Sequence, residues 1–253
     1  MSSLSESCAL FFRKVDRGIK RHGLAGLLKV AAQKVVRRIS LLRPQARREL
    51  KDRTQRALEF DMRLGVDTAG LIHPTELAID SPNQLHAVSY RGSDPEYFRR
   101  AVQALSIAHE RFVFIDFGSG KGRALLLAAE YPFRTIVGVE FSPALHRVAQ
   151  ENLRQFSRHG FPSEHIELVC GDAIDYPLPQ ACLVCYFCNP FGSAVMAPVL
   201  AGICNSHAAC PREIYVVYYN PIEAQLLDGD VRFSALATVG PVRIWRLVMP
   251  PPP

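Results

Sequence analysis

Between residues 111 and 249 the chain alternates short, almost purely apolar runs with stretches whose apolar residues recur at helical spacing. The runs at 114–117, 134–140, 165–170, 181–188 and 213–219 are rich in Val, Ile, Phe, Tyr and Cys and are bounded by Gly, Pro, Asn or Asp. Such continuous runs predict strands covered on both faces. Between them, the Ala- and Leu-rich segment 123–130 reads as helix, Ser142-Pro143 supplies a cap and a first-turn proline for another, and 194–204 predicts a third. A short helix to Leu227 precedes runs at 231–239 and 242–249, which Gly240-Pro241 folds into a hairpin. Alternating strand and helix predicts an α/β fold. The expected form is a doubly wound, mostly parallel seven-stranded sheet whose last strand is antiparallel.

Upstream the pattern changes. Over residues 4–42, Phe11, Val15 and Ile19, then Leu24, Leu28, Ala31, Val35 and Ile39, alternate with Arg13, Arg17, Lys34, Arg37 and Arg38. This spacing predicts two basic amphipathic helices, parted near Gly23 and Gly26 and ended by Pro44. Residues 65–93 carry Gly, Pro, Asp, Ser and His without periodicity and read as a lid, leading into a helix over 95–108. The expected organisation is a basic helical extension at 1–60, a lid and lead-in helix at 61–110, and an α/β core at 111–253.

The segment with most chemical content is Asp116-Phe-Gly-Ser-Gly-Lys-Gly122, where the first core strand runs into a glycine loop and helix. Alternate glycines let the backbone turn sharply and approach a ligand. The helix behind them is expected to aim N–H groups into the turn. A Gly-x-x-x-x-Gly-Lys-Ser/Thr phosphate loop does not fit, because the spacing differs and Arg123 stands where a hydroxyl is needed. Nor does Gly-x-Gly-x-Gly match the Gly-x-Gly-x-x-Gly of a dinucleotide site. An S-adenosylmethionine (SAM) loop and a plain structural turn remain.

The later strand ends separate these two. Glu140 closes the second strand, where an acid can accept from both ribose hydroxyls of a nucleoside. Asp172, after the third strand, can accept from an adenine amino group. The fourth ends in Asn189-Pro190-Phe191. Polar groups thus follow four successive strands, at the edge where open α/β sheets bind ligands.

This series resembles the class I, seven-stranded SAM-dependent methyltransferases over about residues 111–249. Gly118-Ser-Gly-x-Gly-Arg123 before an Ala-rich helix is similar to non-SET protein lysine methyltransferases. Tyr90, in Ser89-Tyr90-Arg-Gly-Ser93, resembles the tyrosine of the lid such enzymes place before the first strand. Asn-Pro-Phe is one residue short of the Asn-Pro-Pro-aromatic motif of amino-directed nucleic-acid methyltransferases. The resemblance implies a SAM-dependent methyltransferase acting on nitrogen, with protein lysine as the expected acceptor. A small amine, a nucleic-acid base or a non-catalytic SAM-binding module are the alternatives. It further implies Asp116, Gly118, Ser119, Gly120, Gly122, Glu140, Phe141, Asp172, Ala173 and Tyr90 as cofactor residues. Asn189, Pro190 and Phe191 are the expected catalytic residues.

Charge adds a partner class. Residues 1–60 hold 15 Lys/Arg and 5 Asp/Glu, whereas the remainder hold 15 and 19. A basic arm on a mildly acidic domain suits an anionic membrane surface, nucleic acid, or packing on its own domain. No run approaches the ~18–20 apolar residues of a membrane span. Seven cysteines, an odd number, point to a reducing, cytoplasmic setting, or a peripheral one at a membrane. Cys182, Cys185 and Cys188 have ligand-like spacing, but a strand sends Cys185 to the opposite face, so they read as core rather than metal site.

Overall fold

The computed structural model describes residues 44–72, 90–161 and 163–248. The two expected arm helices at 4–42 and most of the expected lid lie outside these residues. The first described element is a helix, α1 (Pro44–Leu64). Pro44 therefore opens a helix, as its preset φ and missing N–H permit at a first position. This helix runs across residue 60, the expected edge of the extension, and its last turn buries Phe60 and Leu64 in the core.

Two short strands, β1 (Leu71–Ile72) and β2 (Tyr90–Arg91), pair antiparallel with Ile72 opposite Tyr90. Then come α2 (Pro95–Ala104), β3 (Phe112–Phe117), α3 (Arg123–Ala128), β4 (Thr135–Glu140), α4 (Pro143–Arg158), β5 (Ile166–Cys170) and β6 (Cys182–Phe187). The chain continues through α5 (Ser193–Ala209), β7 (Ile214–Tyr219), α6 (Gln225–Asp228), β8 (Phe233–Val239) and β9 (Val242–Leu247). The large sheet has seven strands in the order β5-β4-β3-β6-β7-β9-β8. Its first five are parallel, and β9 pairs antiparallel with both β7 and β8. This is the expected fold class.

Period-two alternation divides the core. Phe112, Phe114, Val184, Tyr186, Tyr215 and Val217 face a layer formed by α1 to α4, while Ile115, Phe117, Leu183, Phe187, Val216 and Tyr218 face α5 and α6. Cys185 lies in the second layer and Cys182 and Cys188 pack on the first, as the strand period requires.

Element ends differ from expectation where local hydrogen bonding takes over. The lead-in helix stops at Ala104 because the next residues tighten into a turn and Ser106 adopts φ 50°. Helix α5 runs past the expected Cys204 to Ala209, as no breaker intervenes before Pro211. Strand β8 starts at Phe233 instead of Val231, because Asp230 folds back onto the backbone and guanidinium of Arg232.

The strand order reverses between β3 and β6, which leaves a crevice at their carboxyl ends.

Candidate active site

At that crevice a cleft opens, lined from β3, β4, β5 and β6 and closed on one side by β2. The structure brings Tyr90, Asp116, Gly118, Ser119, Gly120, Glu140, Phe141, Asp172, Ala173, Asn189, Pro190 and Phe191 together on this cleft.

Gly122 is the exception among the expected cofactor residues. It takes φ 86° to start α3 and faces Ala149 and Leu125, away from the cleft.

The glycine loop is also more self-contained than its sequence suggests. The N–H groups of Gly118 and Ser119 both donate to Val139 O, and that of Gly122 donates to Ser119 O. Gly120 N–H donates to Glu140 Oε2 at 2.8 Å. Four of the loop's donors are thus satisfied internally, and the expected fan of amides aimed at a ligand is reduced accordingly. Glu140 completes the knot by accepting from Ser142 N–H at 2.8 Å through Oε1. It therefore fastens the loop to β4, a second task the sequence did not disclose.

Two carboxyls lie deep in the cleft. Asp116 is 2% exposed and Glu140 is 3% exposed. Burial pushes Glu140 up to about 7, against the two backbone donors that stabilise its charged form. Asp116 is raised well above the usual carboxylate range by burial and by the neighbouring Glu140. Among the described residues, Asp116 Oδ1 and Ser119 Oγ are buried without a hydrogen-bond partner. Buried polar atoms in this state are costly unless a ligand completes them. A carboxyl acceptor and a hydroxyl side by side in the cleft fit the ammonium and carboxylate of an amino-acid end. Glu140 at the next strand end fits a ribose. The donor set therefore suits a nucleoside joined to an amino acid better than a phosphate-bearing ligand.

Opposite the loop, Asn189 adopts φ 47° at the end of β6. Its Oδ1 accepts from the Tyr218 hydroxyl at 3.4 Å. Cys188 completes this wall, with Sγ 3.5 Å from Arg91 O and a thiol that burial pushes up to about 12. It is a packing residue there, not a thiolate nucleophile. On β5's side, Asp172 is half-buried and accepts from Ile174 N–H at 3.0 Å, so its carboxyl shapes the turn as well as lining the cleft.

Residues 114–205 match a family model described as a methyltransferase domain. Over those residues the core of this chain is similar to methyltransferases. No curated protein sequence matches it. Similar solved structures include a Pyrococcus horikoshii protein, 15% identical, covering 70% of this chain and 96% of that one with a TM-score of 0.48. An RNA methyltransferase of Salinibacter ruber, solved with S-adenosyl-L-homocysteine (SAH), is 17% identical and covers 65% and 96%, TM-score 0.44. A SAM-dependent methyltransferase of Thiobacillus denitrificans, also solved with SAH, is 21% identical and covers 49% and 48%, TM-score 0.36. No helix among the described residues is long and apolar enough to cross a membrane.

The glycine loop also carries residues that the sequence left unassigned. Arg123, at the start of α3, is 2% exposed, and Lys121 is nearly as buried. Lys121 Nζ reaches Asp67 Oδ1 at 2.7 Å and Ala69 O at 3.2 Å. Their signal lay in the composition: Lys121 is the only lysine after Lys51. A cation kept inside a glycine loop with no phosphate to bind needs a partner elsewhere in the chain.

Proposed function

We propose that this chain transfers a methyl group to the side-chain nitrogen of a protein lysine. SAM, when bound, supplies an electrophilic methyl group on a sulfonium. The protein's part is to position the donor and aim the acceptor's lone pair, since this displacement needs no acid at the leaving sulfur.

On the donor side, Asp116 and Ser119 hold the amino-acid end, Glu140 the ribose, and Asp172 and Ala173 the adenine, with Phe141 as an apolar wall and Tyr90 across the glycine loop. On the acceptor side, Asn189 and Pro190 offer carbonyl oxygens to an amine hydrogen. These orient the nitrogen toward the loop, while Phe191 walls the alkyl stem. The observation that carries this reading is the contact between the two halves. Pro190 packs on Gly118, so the Asn-Pro-Phe turn stands directly over the donor loop.

Charge favours lysine over a nucleic-acid base. Beyond residue 60 the chain carries 19 acidic and 15 basic residues, a balance that attracts a cationic peptide and repels phosphates. The opposing observation is the exposed basic face of α1 at Arg47, Arg48 and Lys51, which suits a polyanion.

Purified protein and methyl-labelled SAM incubated with a lysate test the reading. Label is expected in the protein fraction, as methyl-lysine after acid hydrolysis. Label confined to RNA, DNA or small molecules overturns the lysine assignment, and no label in any fraction indicates a SAM-binding module.

A further inference from the structure

The segment that follows α1 enters none of the usual donor-site motifs, yet it is bound to the glycine loop from three directions. Asp61, in the last turn of α1, accepts from Thr68 N–H at 2.8 Å, from Ala69 N–H at 2.6 Å and from the Thr68 hydroxyl. Arg123 Nε donates to Thr68 Oγ1 at 2.7 Å, and its Nη2 lies 3.5 Å from Asp61 Oδ1. The same guanidinium donates to Ser93 O at 3.3 Å and lies on the backbone of Gly92, where an added Cβ would come within 2.8 Å. Thr68 is fully buried.

Tyr90 closes the circuit. Its hydroxyl donates to Thr68 O at 2.7 Å, and β1–β2 pairing sets it opposite Ile72. The edge of its ring lies against the donor loop, since an added Cβ on Gly120 would sit 2.2 Å from two ring carbons. Burial raises the phenol further, so it stays a neutral donor to that carbonyl. A second strap runs in parallel, in which Asn152 accepts from Asp67 N–H and donates to Asp67 O and Lys121 O.

We propose that Asp61, Thr68 and Arg123 are positioning residues of the donor site. They fix the Thr68 carbonyl, which fixes Tyr90 against Gly120, so that residues 61–69 buttress the SAM pocket from behind its lining. The proposal concerns donor binding and is independent of which acceptor is methylated.

Calorimetric titration of the full chain with SAH tests it, because the readout does not need the acceptor. Asp61→Asn, Thr68→Val and Tyr90→Phe are each expected to weaken SAH by roughly tenfold, the value of one or two hydrogen bonds in a buried network. The Asp61→Asn/Tyr90→Phe double variant is expected to bind no worse than its weaker single parent, because both break the same chain of contacts. Thr68→Ser, which keeps the hydroxyl, is expected to restore near-native affinity relative to Thr68→Val. A merely structural role would lower melting temperature in all variants while leaving SAH affinity intact, and that result overturns the proposal. So do losses that multiply in the double variant. Should Asp61→Asn fail to fold, the Thr68→Ser and Thr68→Val pair decides alone: equal affinities overturn it.

Discussion

A β-carbon on Gly118 would lie 2.3 Å from Cβ of Pro190, so the donor loop and the Asn-Pro-Phe turn are in direct backbone-to-ring contact. Gly118 also holds φ 81°, a region that costs an alanine on the order of 1 kcal/mol or more. Gly118→Ala is therefore expected to lower the melting temperature and to weaken SAH by at least roughly tenfold. Melting and titration of the one variant measure both. Native affinity there would mean that the turn yields freely, and the coupling of the two halves would be lost.

Glu140 serves the loop and the ligand through the same carboxylate, as its oxygens already accept from Gly120 and Ser142. SAM at a hundredfold over Kd should stabilise the native protein by about 2.7 kcal/mol. That is about 5–10 °C in melting temperature for a chain of this size. In Glu140→Ala the loss of charged hydrogen bonds should weaken SAM roughly ten- to hundredfold and shrink this shift accordingly. An unchanged thermal shift would remove Glu140 from the ligand's contacts.

How far the sequence could be read depends on whether a feature is local. Strand and helix periodicity along the α/β core is local, and so is the placing of polar residues at strand ends. Twelve of the thirteen expected site residues accordingly meet on one cleft. Gly122 misleads because spacing alone cannot distinguish a glycine that approaches a ligand from one that turns into a helix. The partners of Lys121 and Arg123 were illegible for another reason. Asp67 and Thr68 lie in a segment without periodicity and Asp61 in the last turn of α1, all more than fifty residues away, and only the closed fold brings them to the loop. The end of α1 was hidden likewise, since Phe60 and Leu64 are buried by contacts with the distant core.

Burial of Glu140 predicts a pH signature. Its carboxyl holds its proton up to about 7 in the folded chain, against an ordinary 4.5. The folded state then binds more protons than the unfolded one between these values. The associated stability is fully present below about 4.5 and is lost as pH rises through about 7. Asp116 is raised too, and acts in the same direction. The ligand-free protein should melt at a lower temperature at pH 8 than at pH 5.5, with a slope of at most about 1.4 kcal/mol per pH unit from each group. Glu140→Gln should flatten that slope. A melting temperature that rises over this range would show that these carboxyls are ionised in the fold.

Asn189 combines a backbone role and a side-chain role that substitution can separate. At φ 47° it occupies the left-handed region, which glycine enters without cost and alanine does not. Its Oδ1 meanwhile accepts from Tyr218. Asn189→Gly should therefore keep the turn, the fold and the SAH affinity, while losing the side chain that faces the acceptor. Turnover should fall by roughly a hundredfold, the scale expected when an acceptor is no longer aligned. Asn189→Ala should show the same catalytic loss together with a lower melting temperature, because it adds backbone strain. Tyr218→Phe, which removes only the hydroxyl holding the amide, should lie between these variants and the native enzyme. Full turnover in Asn189→Gly would reduce Asn189 to a turn residue. The acceptor's orientation would then rest on the Pro190 carbonyl and Phe191.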